Sequence, residues 1–150
     1  MKIPRTARQL LQQPQEKPWR PKGSRAPKPK TVVLIDDDFM MRQMLRLIVT
    51  SDHYQVVGEA SNGEDGVSVC EKQKPDLVLL DINMPKMSGL LALEFILSQN
   101  PATRVLMVSV ESKKEMVAEA IKRGASGFVV KPFNPASVLD RIESCFKGKA

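Results

Sequence analysis

The chain has 150 residues, of which 42% are hydrophobic and 27% charged, enough to bury the core of one ordinary domain. Its two cysteines are too few for a disulfide framework, no apolar run approaches the roughly 20 residues of a membrane span, and MKIPRTARQL lacks the apolar segment of a secretion signal. Membrane, secreted-scaffold and fibrous classes are excluded, and a reduced, cytoplasmic setting is expected.

The net charge of +6 is unevenly placed. Residues 1–30 hold nine Lys and Arg against one acid, Glu16, a net of +8, whereas residues 31–150 hold fourteen bases and sixteen acids, a net of −2. Six of the eleven prolines also fall in residues 1–30. Such a segment buries too little apolar surface to offset its ordering entropy, so residues 1–30 are expected to be a basic, Pro-rich, disordered tail. Only Thr6 to Gln13 has the pattern of a short helical turn, with Leu10 and Leu11 as its apolar contacts. The tail reads as a solvated leader, or as a basic arm for nucleic acid, an anionic membrane or an acidic partner, with Trp19 as its one aromatic.

From Thr31 the hydrophobic period alternates. TVVLID is a short, continuous, β-branched run, the pattern of a strand buried on both faces. DFMMRQMLRLIVT then places Met41, Met44, Leu45 and Ile48 at helical spacing for the core, with Arg42, Gln43 and Arg46 facing away. The alternation continues with QVVGEA and a helix over 62–73, DLVLLD and a helix over 88–99, RVLMVS and a helix over 112–123, then GFVV and a helix over 135–146. Gly124 is placed to end the fourth helix, and Asn134-Pro135 to cap the fifth. Buried strands joined by helices imply parallel pairing with right-handed crossovers. The predicted fold is α/β, a (βα)5 doubly wound five-stranded parallel sheet over 31–147, with 148–150 as a short C-terminal tail.

Ligand sites in such sheets lie at the carboxyl ends of the strands. Those ends carry Asp36 and Asp37, then Asp81, then Ser109, then Lys131. Converging carboxylates repel one another, and a divalent cation relieves the repulsion; an all-oxygen site suits magnesium, with manganese as the alternative ion. Carboxylate, cation, hydroxyl and lysine are the parts needed to move a phosphoryl group onto an aspartate. No glycine-rich cradle follows the first strand, which argues against a nucleotide cofactor.

The runs VVLIDDDFMMR, DLVLLDINMPKMSGL, VLMVSVESKKE and GASGFVVKPF, in this order, resemble the receiver domain of bacterial response regulators, and through the last two strands the single-domain chemotaxis type. The resemblance covers about residues 31–147 and implies a flavodoxin-like fold. It implies Asp81 as phospho-acceptor. Asp36, Asp37, Asp81 and the backbone carbonyl of Asn83 become magnesium ligands, and Ser109 and Lys131 bind the phosphoryl group. Phe128 is the aromatic that moves with the switch hydroxyl, a cis bond precedes Pro132, and Met84-Pro85 and Gly89 shape the acceptor loop. It further implies a histidine kinase or histidine phosphotransfer protein as donor. A downstream protein would meet a face including Ser112, Lys114, Val117, Phe128, Val130 and Arg141, on a monomer or a phosphorylation-induced dimer. With no second globular unit after residue 147, output is expected through a protein contact. Two positions depart from the pattern: Val110 stands where a small residue is usual, and Phe128 where the chemotaxis regulator has tyrosine.

Asp36 and Asp38 form the DxD of haloacid-dehalogenase phosphatases, but GASGFVVKPF lacks the late acidic motif those enzymes need. A phosphate-independent scaffold whose tail binds nucleic acid or another polyanion is the alternative. Asp38 reads as a helix cap rather than a ligand, Cys70 and Cys145 as buried small hydrophobes, His53 as a surface turn residue, and the methionine-rich first helix as core packing.

Overall fold

The structure, a computed structural model, describes residues 28–147. The expectations for residues 1–27, Trp19 and the leucine pair among them, and for residues 148–150 lie outside the described residues. Five strands alternate with five helices: β1 (Thr31–Ile35), α1 (Phe39–Ser51), β2 (Gln55–Ala60), α2 (Gly63–Gln73), β3 (Leu77–Leu80), α3 (Gly89–Gln99), β4 (Arg104–Ser109), α4 (Lys114–Lys122), β5 (Gly127–Val130) and α5 (Pro135–Lys147). The strands pair in parallel in the order β2-β1-β3-β4-β5. The chain therefore reverses its direction of travel between β1 and β3, where this type of sheet opens a crevice. No helix among the described residues is long and apolar enough to cross a membrane.

The central strands divide their side chains between two cores by the period of two. Val33, Ile35, Val78, Leu80, Val105 and Met107 pack with Cys70 of α2, Ala92, Leu93 and Ile96 of α3, and Ala120 of α4. Val32, Leu34, Leu77, Leu79, Leu106 and Val108 pack on the other face with Leu45, Ile48 and Val49 of α1 and Val138, Ile142 and Cys145 of α5. Each such leucine or isoleucine contributes about 1.5–3 kcal/mol by leaving water. The unbroken apolar runs in the sequence follow from this two-sided burial.

Helix ends follow the expected chemistry. Asp38 caps α1, its carboxylate accepting from the N–H groups of Met40 and Met41, and Asn134 caps α5 by accepting from the Ser137 N–H at 2.8 Å. Gly124 follows α4 with φ +110°, a left-handed conformation that side-chain-bearing residues seldom adopt. His53 is exposed in the turn between α1 and β2.

Three details correct the sequence reading. Met44 of α1 is 49% exposed and Leu47 72%, while Val49 takes the core position, so the methionine-rich helix has a second, outward apolar stripe. Arg42 does not face away: its side chain folds back onto the loop after β1. α4 begins at Lys114, not Ser112, because the chain stays extended past β4 and the capping residue Lys113 makes no side-chain cap bond.

Cys70 and Cys145 are both buried, and burial pushes the Cys70 thiol from 9.0 up to about 12. Both thiols should resist a disulfide reagent at neutral pH until urea unfolds the domain; rapid labelling of the native protein would contradict the burial. Cys70 remains protonated in the fold where an unfolded chain would ionise. Its contribution to stability is thus complete below about pH 9 and is lost as pH rises towards 12.

Candidate functional site

Where β1 ends, the Asp36 N–H still donates to the Ala60 carbonyl of β2 at 3.1 Å, which holds the first acid at the sheet edge. Asp36 is 1% exposed. One of its carboxylate oxygens accepts from the Asp38 N–H at 2.9 Å and the other from the Lys131 Nζ at 2.7 Å. Asp81, just past β3 and also buried, is aligned by its N–H donating to the Ile35 carbonyl at 3.0 Å. Its Oδ1 accepts from the Ile82 N–H at 2.7 Å, and its Oδ2 lies 3.4 Å from Lys131 Nζ. Asp37 is exposed, yet one carboxylate oxygen each from Asp36, Asp37 and Asp81 can be chosen so that all lie within 4.8 Å of one another. Asn83 is exposed in the loop two residues beyond Asp81.

Ser109, fully buried at the end of β4, accepts from the Lys131 N–H on its carbonyl at 2.8 Å and from the Glu111 N–H on its hydroxyl at 3.3 Å. The peptide bond between Lys131 and Pro132 is cis. Val110 is 64% exposed, so its side chain stands in solvent beside the strand end rather than packed into the interior.

Burial raises the pKa of Asp36, against the bonds from Lys131 and Asp38 that favour its charged form. Burial acts on Lys131 in the opposite sense and would lower it, but the bond to Asp36 and the charges of Asp36 and Asp81 win, and the ammonium is held above its ordinary value. Two buried carboxylates thus share one partly buried cation. A third carboxylate at the rim leaves the cluster short of positive charge, and hard oxygen donors so arranged fit a divalent cation such as Mg2+.

Gly89, the first residue of α3, explains how the helix comes so near the end of β3. Its N–H donates to the Ile82 carbonyl at 2.7 Å, and a Cβ there would lie 1.9 Å from the Asp81 carbonyl oxygen.

Of the residues assigned to a partner face, Phe128, Val130 and Arg141 line one groove of about 590 Å³ with Pro132, Phe133, Asn134 and Ser137. Phe128 is half-buried and also packs against the core beneath α2, α3 and α4. Ser112 precedes α4, Lys114 opens it and Val117 lies within it, and none of the three is among the residues lining that groove. The sequence reading missed Arg42. Its partner Glu59 is 17 residues away on β2, a pairing that only the β1–β2 register brings about.

The arrangement combines an acidic crevice at the switch point with a buried hydroxyl and a partly buried lysine. The family model described as the response regulator receiver domain matches residues 32–143. The chain belongs to that family, the receiver domains of two-component signalling, whose CheY-like members are signalling switches. It is 41% identical over 118 residues to the chemotaxis protein CheY of Thermotoga maritima, covering 79% of this chain and 98% of that protein. It is 40% identical over 122 residues to the nitrate/nitrite response regulator protein NarL of Escherichia coli, covering 81% of this chain and 56% of NarL. Among solved structures, the CheX-CheY-BeF3-Mg2+ complex from Borrelia burgdorferi is similar with a TM-score of 0.77 and 35% identity, over 79% of this chain and 90% of that one.

Proposed function

We propose that Asp81 accepts a phosphoryl group from a histidine kinase or a histidine phosphotransfer protein, and that the resulting charge switches the surface formed by α4, β5 and α5 for a protein partner. The observation that carries this reading is the buried Asp81 carboxylate, grouped with Asp36 and Asp37 and faced by Lys131. A carboxylate oxygen of Asp81 attacks phosphorus, and the bond from phosphorus to the donor's imidazole nitrogen breaks with its electron pair going to the donor. Asp36, Asp37, Asp81 and the Asn83 carbonyl would hold Mg2+, which when bound offsets the charge on the phosphoryl oxygens. Lys131, already between Asp36 and Asp81, supplies a second positive contact, and the Ser109 hydroxyl is the donor that turns to the new oxygens. The groove beside Phe128, Val130 and Arg141 is the part of the output surface best shaped to take a partner side chain; Ser112, just before α4, and Lys114 and Val117 within it would complete that surface. Hydrolysis of the aspartyl phosphate by water, assisted only by the same pocket, resets the switch.

The test is intact-mass analysis after incubation with acetyl phosphate or a phosphorylated donor. One phosphoryl mass, removed by hydroxylamine and prevented by EDTA, is expected; a chain that takes up no label from any donor with Mg2+ present would sink the reading. Magnesium binding has its own check. Asp37→Ala removes the exposed oxygen donor and should weaken Mg2+ by more than about tenfold, the scale seen even for groups that only support a ligand. It also relieves repulsion among the three acids, so the metal-free variant should unfold at slightly higher urea. Calorimetry showing unchanged Mg2+ affinity would remove Asp37 from the ligand set.

A further inference from the structure

We propose that Arg42 is a positioning residue for the acidic pocket: together with Glu59 it fixes the peptide that joins Asp36 to Asp37, and so sets how well Asp37 meets a divalent cation. The proposal rests on the reading that Asp36, Asp37 and Asp81 hold such a cation. Arg42 lies one turn into α1, where its own N–H donates to the Asp38 carbonyl at 3.0 Å. Its side chain runs back towards the sheet instead of into water and is 14% exposed. Nη1 donates to the Asp36 carbonyl at 2.6 Å, and Nε donates to Glu59 Oε1 at 3.1 Å. The other Glu59 oxygen accepts from Arg46, and the Phe39 ring covers the guanidinium, with Cζ 5.6 Å from its centroid.

The geometry gives this contact a direction of action. The Asp36 carbonyl and the Asp37 N–H belong to one planar unit, so holding the oxygen fixes the plane from which the Asp37 side chain departs. The preceding N–H is already held by Ala60, and Ala60 and Glu59 are neighbours on β2. The edge strand therefore grips the acidic loop twice, once directly and once through Arg42. Asp37 needs this support more than Asp36 does: its exposed carboxylate makes no hydrogen bond with the described residues, whereas Asp36 is tied to Asp38 and Lys131. A planar fork can bond a carbonyl and a carboxylate at once; a lysine ammonium on a flexible stem cannot hold the same pair in a fixed plane.

Charge and positioning make opposite predictions. Removing a cation beside three carboxylates should tighten Mg2+ binding on Coulomb grounds. Loss of positioning should weaken it, by about tenfold if Arg42 acts as groups supporting metal ligands commonly do. The experiment is a calorimetric Mg2+ titration of the full chain, as wild type, Arg42→Gln, Arg42→Lys and the double variant Arg42→Gln/Glu59→Gln, each with a urea unfolding curve. The double variant removes the pair at constant net charge. Weaker Mg2+ binding by about tenfold in Arg42→Gln and in the double variant, with Arg42→Lys also weakened, is the expected result. Unchanged or tighter binding, even alongside a lower urea midpoint, would reduce Arg42 to a helix-to-sheet ion pair and overturn the proposal. Should Arg42→Gln not fold, Arg42→Lys, which keeps the charge, decides on the same criterion. Absence of Mg2+ binding by the wild type would instead overturn the cation reading and this proposal with it.

Discussion

Asp81→Asn is expected to lower phosphoryl uptake from acetyl phosphate by at least about a thousandfold, since it removes the nucleophile of the transfer. The amide keeps the volume of the carboxylate, and its oxygen can still accept from the Ile82 N–H. Lys131 keeps its shorter bond to Asp36, so its ammonium is not left unpaired. The unfolding free energy should therefore shift by less than about 1 kcal/mol. Intact mass and a urea curve measured on the same preparation check both halves. Hydroxylamine-sensitive label on the folded variant would place the acceptor elsewhere, and loss of the fold would mean that Asp81 is a structural group first.

Gly89→Ala should be the most damaging single methyl in the domain, costing about 3 kcal/mol or more, the upper end for overpacking. The added carbon would meet backbone, 1.9 Å from the Asp81 carbonyl oxygen and 2.7 Å from the Ile82 Cα, so no side chain can swing aside. Relief requires α3 to retreat or the end of β3 to move, and β3 leads directly into Asp81, the proposed acceptor. Uptake of the phosphoryl group should fall by about a hundredfold, the effect of roughly 1 Å of misplacement. Gly127→Ala is the fitting control, because its Cβ would meet the Leu106 Cδ1 at 3.0 Å, the end of a side chain that can turn. Equal urea midpoints for Gly89→Ala and wild type would show that the helix start is not packed as described.

The fold was legible because both faces of β1, β3 and β4 are covered, which leaves runs such as LVLL with no polar alternation and no helical period. The candidate site was legible for a related reason: in a parallel sheet every strand ends on the same edge, so reading the residues at the end of each run collects Asp36, Asp81, Ser109 and Lys131. The failures lie where two surfaces compete for one helix. α1 has apolar side chains on two faces, and sequence spacing alone does not tell which face the crossover turns to the sheet; Leu45, Ile48 and Val49 won, and Met44 and Leu47 were left outside. Arg42 was misread because charge on a helix ordinarily marks solvent, and nothing in the local sequence shows that Glu59 waits on the neighbouring strand. The start of α4 was placed two residues early because helical spacing continues through Ser112, whereas the backbone is still extended at Lys113, whose N–H is taken by the Glu111 side chain at 3.3 Å.

The bond between Lys131 and Asp36 spans 95 positions of the chain, and Lys131 belongs to the last segment before the final helix. A polypeptide still being synthesised can place Asp36 and Asp81 side by side as soon as β1 and β3 pair. Until β5 docks against β4, however, that pair has no ammonium between its carboxylates. If Asp81 takes up a phosphoryl group as proposed, its receptive state is a property of the finished sheet, and a chain ending before Lys131 is expected to take up none. On that reading, the lysine that tempers the acids also ties competence to the completeness of the sheet.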